Sequence, residues 1–154
     1  MKILIQCPLG IGDALMFTPA LRLLRSRYPE AQIDVLTPLR GAADIFRLNP
    51  DASAVLFWDF LRQSKFTSLK FVLSLRKQRY DVSISVYPQN RWEYNLVTRL
   101  IGAPLRLGHE YNHQDVRQAN FLNTHRVREQ DARHNVEENV LLLHRYLDVP
   151  DQSL

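Results

Sequence analysis

Short apolar runs alternate along this chain with stretches of helical spacing, and that alternation limits the fold more than any other feature. Lys2–Gln6 (KILIQ) suits a buried strand and is broken at Pro8 to Gly12. Ala14 to Tyr28 then places Leu15, Phe17, Leu21, Leu24 and Tyr28 on a helical period, with Arg22, Arg25 and Arg27 between them. Pro19 falls inside this pattern; it either kinks the helix or restarts it with Thr18 as the cap, and Pro29 ends it. Further strands are expected at Gln32–Thr37, Ala54–Phe57, Asp81–Val86, Leu105–Gly108 and Phe121–Val127. Helices are expected at Gly41–Leu48, Thr67–Gln78, Trp92–Ile101 and Asn135–Leu147, and His109 to Asn120 reads as irregular.

Strand–helix alternation implies an α/β fold: a Rossmann-like, mostly parallel sheet with helices on both faces. The 154 residues, 45% of them hydrophobic, suit one domain spanning 1–154 and are enough for a core without staples. The single cysteine, Cys7, excludes an internal disulfide and a cysteine-built zinc site. Its position at the end of a strand suits a buried, inert thiol. No window approaches the apolar length of a membrane-spanning helix, and the start is too short in apolar residues for a secretory leader, so a reducing compartment is expected.

In open parallel sheets, ligands sit outside the carboxyl ends of the strands. Three loops are singled out by that rule: Cys7–Asp13, Thr37–Gly41 and Tyr87–Arg91. The first reads Pro8-Leu9-Gly10-Ile11-Gly12-Asp13. Gly10 and Gly12 would let the backbone turn sharply and approach a ligand. The segment is neither a dinucleotide fingerprint, since Leu15 stands where the third glycine belongs, nor a P-loop. Asp13 would repel a phosphate. Two roles suit it: capping the helix, or serving as a general base at the mouth of the sheet.

The chain carries 16 arginines against four lysines, and its net charge is +4. Arginine forks suit phosphate and carboxylate groups. Arg91, between the fourth strand and a helix, is a candidate for an anionic ligand or simply a surface charge. Arg106 either points at the cleft or alternates outward. Trp58 and Phe57 either close the core or face a further lobe. His109 and His113 lie four apart, but no carboxylate pattern completes a metal site, and His134 either lies near the junction with a further lobe or is a surface histidine in a cap region. No basic cluster alternates with aromatics as a nucleic-acid groove would require.

Lys2-Ile3-Leu4-Ile5, Leu9-Gly10-Ile11-Gly12-Asp13, Thr18-Pro19-Ala20-Leu21-Arg22-Leu23-Leu24, Tyr28-Pro29 and Ile33-Asp34-Val35-Leu36 together resemble the start of glycosyltransferase family 9, the ADP-heptose lipopolysaccharide heptosyltransferases. Tyr80-Asp81-Val82, Arg91 before a helix, Leu100-Ile101-Gly102-Ala103-Pro104, Arg106-Leu107-Gly108 and His134-Asn135-Val136-Glu137 continue the resemblance in order.

The resemblance implies the N-terminal, acceptor-binding lobe of a GT-B enzyme. The C-terminal lobe that would bind the nucleotide-sugar donor lies outside this chain, which alone is expected to be inactive. It further implies that Asp13 is the catalytic base of an inverting transfer from ADP-heptose, with no metal or cofactor. Gly10, Gly12 and Arg91 would serve the acceptor, an anionic glycolipid met from the cytoplasm at the inner face of a membrane, where peripheral contact is expected. Two other readings stay open: a family 9 transferase of a different sugar, and a non-catalytic Rossmann-like module for glycan binding or assembly. Nucleic-acid binding, which a steep salt dependence would reveal, is not expected.

Overall fold

The computed structural model describes residues 1–150. Six strands form one sheet: β1 (Lys2–Gln6), β2 (Gln32–Thr37), β3 (Ala54–Phe57), β4 (Val82–Ser85), β5 (Leu105–Glu110) and β6 (His125–Arg128). Their order is β3-β2-β1-β4-β5-β6, and every neighbouring pair is parallel. The chain builds outward from β1 to β3, then returns to the other side of β1 to build β4 to β6. That reversal places a topological switch between β1 and β4.

The helices are α1 (Ile11–Arg27), α2 (Arg40–Arg47), α3 (Lys65–Arg76), α4 (Trp92–Ile101) and α5 (Asn135–Leu147). One face of the sheet buries Ile3, Ile5, Ile33, Val35, Ile84 and Leu107 against α1, α2 and α5. The opposite face buries Leu4 and Leu36 beneath Val72 and Leu75 of α3 and Ile101 of α4. Strand alternation explains the division: Ile3 and Ile5 point one way, Leu4 and Gln6 the other.

Where the boundaries differ from expectation, local hydrogen bonding gives the reason. The first helix begins at Ile11, three residues early, and runs unbroken through Pro19. Proline has no N–H to offer the Leu15 carbonyl, and the Thr18 hydroxyl donates to that carbonyl instead at 2.8 Å. Ser64 caps α3 by accepting from the Thr67 N–H, which starts this helix two residues early. β5 runs on to Glu110 and takes in His109, which is buried rather than in a loop. The expected strand over Phe121–Val127 is only His125–Arg128; Asn120–Leu122 forms a 3₁₀ turn instead.

Trp58 and Phe71 stack with ring centroids 4.1 Å apart, and Trp58 Nε1 donates to Ser68 Oγ. The tryptophan therefore closes the second core. Arg106 is neither in the cleft nor free in solvent: its guanidinium donates to the Leu122 and Ala103 carbonyls and fastens β5 to its surroundings. Among the described residues no helix is long and apolar enough to cross a membrane.

Candidate active site at the carboxyl edge of the sheet

β1 and β4 are adjacent and parallel, so the loops that follow them emerge side by side. The first carries Gly10, Gly12 and Asp13. Gly10 is the N-cap of α1 with an extended backbone (φ −69°, ψ −179°), and among the described residues only Gly102 is a glycine with positive φ. The turn therefore does not require glycine for its backbone angles, contrary to the expectation for Gly10 and Gly12. What the two glycines leave is room: a Cβ at either position would meet nothing within 4 Å.

Asp13 lies in the first turn of α1 and is half-buried. It is not the cap, since the capping position is Gly10 and no side chain makes the capping bond. Among the described residues its carboxylate has neither a hydrogen-bond donor nor an ion-pair partner. Cys7, just below, is buried, and burial pushes its thiol up to about 12, with the nearby Asp13 charge adding to the rise. That thiol is inert at neutral pH.

The second loop is held from several sides. Tyr87 N–H donates to Asn139 Oδ1, and the Tyr111 hydroxyl donates to the Gln89 carbonyl at 2.7 Å. Asn120 Nδ2 donates to Asn90 Oδ1, while Asn95 Nδ2 donates to Asn120 Oδ1 and to the Gln118 carbonyl. The Trp92 N–H donates to Gln118 Oε1. This network fixes the backbone at Arg91, the residue that precedes α4, and leaves its side chain exposed. Among the described residues no carboxylate pairs with that guanidinium.

The loop after β2 completes the rim. Gly41 packs against Ile11: a Cβ there would lie 2.6 Å from the isoleucine side chain, so the starts of α1 and α2 meet closely. Beside them, Pro38, Leu39, Arg40, Phe57, Asp59 and Arg62 line a cavity of about 400 Å³. Arg40 lies over the Phe57 ring at 6.0 Å, and Arg62 Nε is 3.5 Å from Asp59 Oδ2. Sequence reading named the β2 loop but missed Arg40 and Arg62. Both are single arginines in unremarkable local sequence, and only the parallel pairing of β2 with β3 brings them together.

Three of the five histidines serve structure. His134 and Glu137 form a capping box at the start of α5, and His144 Nδ1 lies 2.8 Å from the Val149 carbonyl oxygen. His109 sits wholly buried with Nε2 3.5 Å from Glu138 Oε2. Among the described residues no group of three or more His, Cys, Asp or Glu side chains could hold a metal ion.

Residues 68–154 match the family model described as glycosyltransferase family 9 (heptosyltransferase). The chain belongs to glycosyltransferase family 9. Lipopolysaccharide heptosyltransferase 3 of Escherichia coli K12 is 31% identical over 107 residues, which are 67% of this chain and 30% of that relative. Lipooligosaccharide heptosyltransferase 2 of Campylobacter jejuni is 25% identical over 127 residues, 79% of this chain and 38% of the relative. Among solved structures, the E. coli heptosyltransferase WaaC with ADP-2-deoxy-2-fluoro heptose superposes with a TM-score of 0.78 at 19% identity, over 100% of this chain and 50% of that one. E. coli ADP-heptose lipopolysaccharide heptosyltransferase II gives 0.72 at 26% identity, over 92% of this chain and 40% of that one. The fold is thus the Rossmann-like arrangement of the GT-B heptosyltransferases. The chain spans half or less of the family 9 members it matches.

Proposed function

We propose that this chain is the N-terminal, acceptor-binding lobe of an inverting heptosyltransferase. Its partner lobe would hold the nucleotide-sugar donor, and the acceptor is an anionic, lipid-linked core sugar. Two similar proteins are named as lipopolysaccharide or lipooligosaccharide heptosyltransferases, and one similar structure holds an ADP-heptose analogue.

The observation that carries the reading is Asp13: an unpartnered carboxylate at the switch point, beside space that Gly10 and Gly12 keep clear. In the proposed reaction the acceptor hydroxyl donates its proton to the Asp13 carboxylate. Its oxygen forms a bond to the anomeric carbon of the donor sugar from the face opposite the leaving group. The anomeric C–O bond to the diphosphate breaks, and ADP departs with that electron pair. This chain contributes the base and the position of the nucleophile; the approach to near-attack distance needs both lobes. Arg91, Arg40 and Arg62 along the same rim suit the acidic groups of the acceptor.

The test is Asp13→Ala and Asp13→Asn in the two-lobe enzyme, with transfer and acceptor binding measured separately. Turnover is expected to fall by about 10²- to 10⁴-fold, the usual contribution of a general base, with acceptor affinity nearly intact. Unchanged turnover removes Asp13 from the mechanism. Acceptor binding with no turnover even in the unmodified two-lobe protein would favour a glycan-binding module.

A further inference from the structure

The outer face of α3 is apolar where it should be polar. Its inner face is satisfied by Val72 and Leu75, yet Phe66, Leu69 and Leu73 on the adjoining solvent side are 67, 44 and 42% exposed. Their spacing of three and four residues makes one continuous stripe. The stripe continues across to α4 through Trp92 and Leu96, and Leu61 stands beside it at 89% exposure. Between the two helices runs a mostly apolar groove of about 390 Å³. Other exposed apolar side chains, such as Leu48 and Val116, stand elsewhere, but here six gather around one groove, and a contiguous apolar patch marks a contact site.

Charge identifies the kind of contact. Residues 60–80 contain six basic side chains (Arg62, Lys65, Lys70, Arg76, Lys77 and Arg79) and no Asp or Glu; Arg62 pairs with Asp59 and the α4 side of the groove carries Glu93, so the face keeps a basic excess. All six are exposed, and Lys70 Nζ sits 4.4 Å from the Phe66 ring centroid. A second copy is a poor occupant, because face-to-face docking would set two such basic sets against each other. Basic side chains framing Phe, Leu and Trp are the composition of a surface that lies in the headgroup region of an anionic bilayer.

The geometry points to the exposed face of α3 and α4, centred on Phe66, Leu69 and Trp92, as a docking surface for an anionic phospholipid bilayer. The inference deepens the glycolipid-acceptor reading and rests on it only for the reason a membrane is at hand. Both helices begin at the carboxyl edge of the sheet, so a bilayer on this face lies beside the rim that carries Arg91 and Asp13.

The experiment is cosedimentation of the full chain with phosphatidylcholine vesicles, with and without phosphatidylglycerol. Binding is expected on the anionic vesicles only, together with a blue shift of Trp92 emission. Each basic residue near an anionic surface contributes about fivefold, so Lys65→Glu with Lys70→Glu should weaken partitioning by at least about 20-fold. Phe66→Ser with Leu69→Ser should weaken it by about tenfold or more. Arg47→Glu, on α2 of the other face, should change it little. Circular dichroism and melting curves confirm that each variant folds. Equal binding to neutral vesicles, no binding to either, or indifference to both double variants overturns the proposal. So does a dimer that Phe66→Ser with Leu69→Ser dissolves in a protein that ignores vesicles. These vesicles contain no sugar, so their result and the transfer assay can fail independently.

Discussion

Gln6 Nε2 donates to Thr98 Oγ1 at 2.8 Å, tying the end of β1 to the middle of α4 through a fully buried bond. Gln6 leads into the loop that carries Asp13, and α4 begins directly after Arg91. One bond thus joins the supports of both halves of the rim. Thr98 Oγ1 spends its own proton on the Tyr94 carbonyl, so its lone pair is what Gln6 uses.

Thr98→Val removes that acceptor and leaves a buried amide donor unpaired, at an expected cost of about 1–3 kcal/mol in urea unfolding. Gln6→Met combined with Thr98→Val should be less damaging than the sum of the two single changes, because the orphan disappears. A double-mutant cycle measures the coupling, and strict additivity would show that the bond contributes nothing.

Gly12 offers a separation of stability from function. Alanine there enters a helical first turn and meets empty space, so Gly12→Ala should raise folding stability by about 0.5 kcal/mol. Its methyl would occupy volume proposed for the acceptor, so acceptor affinity should fall in titration calorimetry while the melting temperature rises. Unaltered affinity would mean that the clearing is unused.

Arg40 and Arg91 reach the rim from loops after different strands and have no carboxylate partner among the described residues. Arg40→Ala and Arg91→Ala are each expected to raise the acceptor KM about tenfold with kcat changed less than about threefold, the pattern of lost uniform binding. Steady-state kinetics of the two-lobe enzyme decides the point. A fall in kcat alone would move either arginine into the chemical step.

Glu138 contributes to stability on the acid side. Burial alone would raise its pKa. The His109 ring, the Gln130 N–H and the Arg133 guanidinium outweigh burial and hold it below the usual carboxylate value. A depressed folded-state pKa stabilises the fold above the unfolded value near 4.5, and that contribution is lost as pH falls through the lower, folded value. Glu138→Gln should therefore lower stability at pH 7 by about 1–3 kcal/mol, the range for buried hydrogen-bonding groups left without their partner. The gap from the unmodified protein should shrink in acid denaturation below about pH 4.5. A gap that stays constant with pH would place the stabilisation elsewhere.

Element identity was legible wherever the hydrophobic period was strong, as in β1, β2, α4 and α5. Their expected bounds Lys2–Gln6, Gln32–Thr37, Trp92–Ile101 and Asn135–Leu147 are the observed ones. Helix starts were less legible because caps depend on single hydrogen bonds, as Ser64 and Gly10 illustrate. Pro19 misled for a related reason: the compensating bond from Thr18 is a side-chain event no periodicity reports. At the candidate site, the loops after β1 and β4 could be named from glycine, proline and the strand-end rule. Arg40 and Arg62 could not, because their meeting is set by sheet order. Nor could the burial of His109, which follows from β5 running two residues further than its apolar residues suggest.

β1 and β4 come together across a long stretch of chain, where the Lys2 N–H meets the Asp81 carboxylate at 2.7 Å over a separation of 79 residues. A growing polypeptide displays Asp13 well before Arg91 exists, and it has no crevice until that distant pairing forms. The crevice exists only when that distant pairing is in place, so a lesion in the β1–β4 ladder would erase it as a unit.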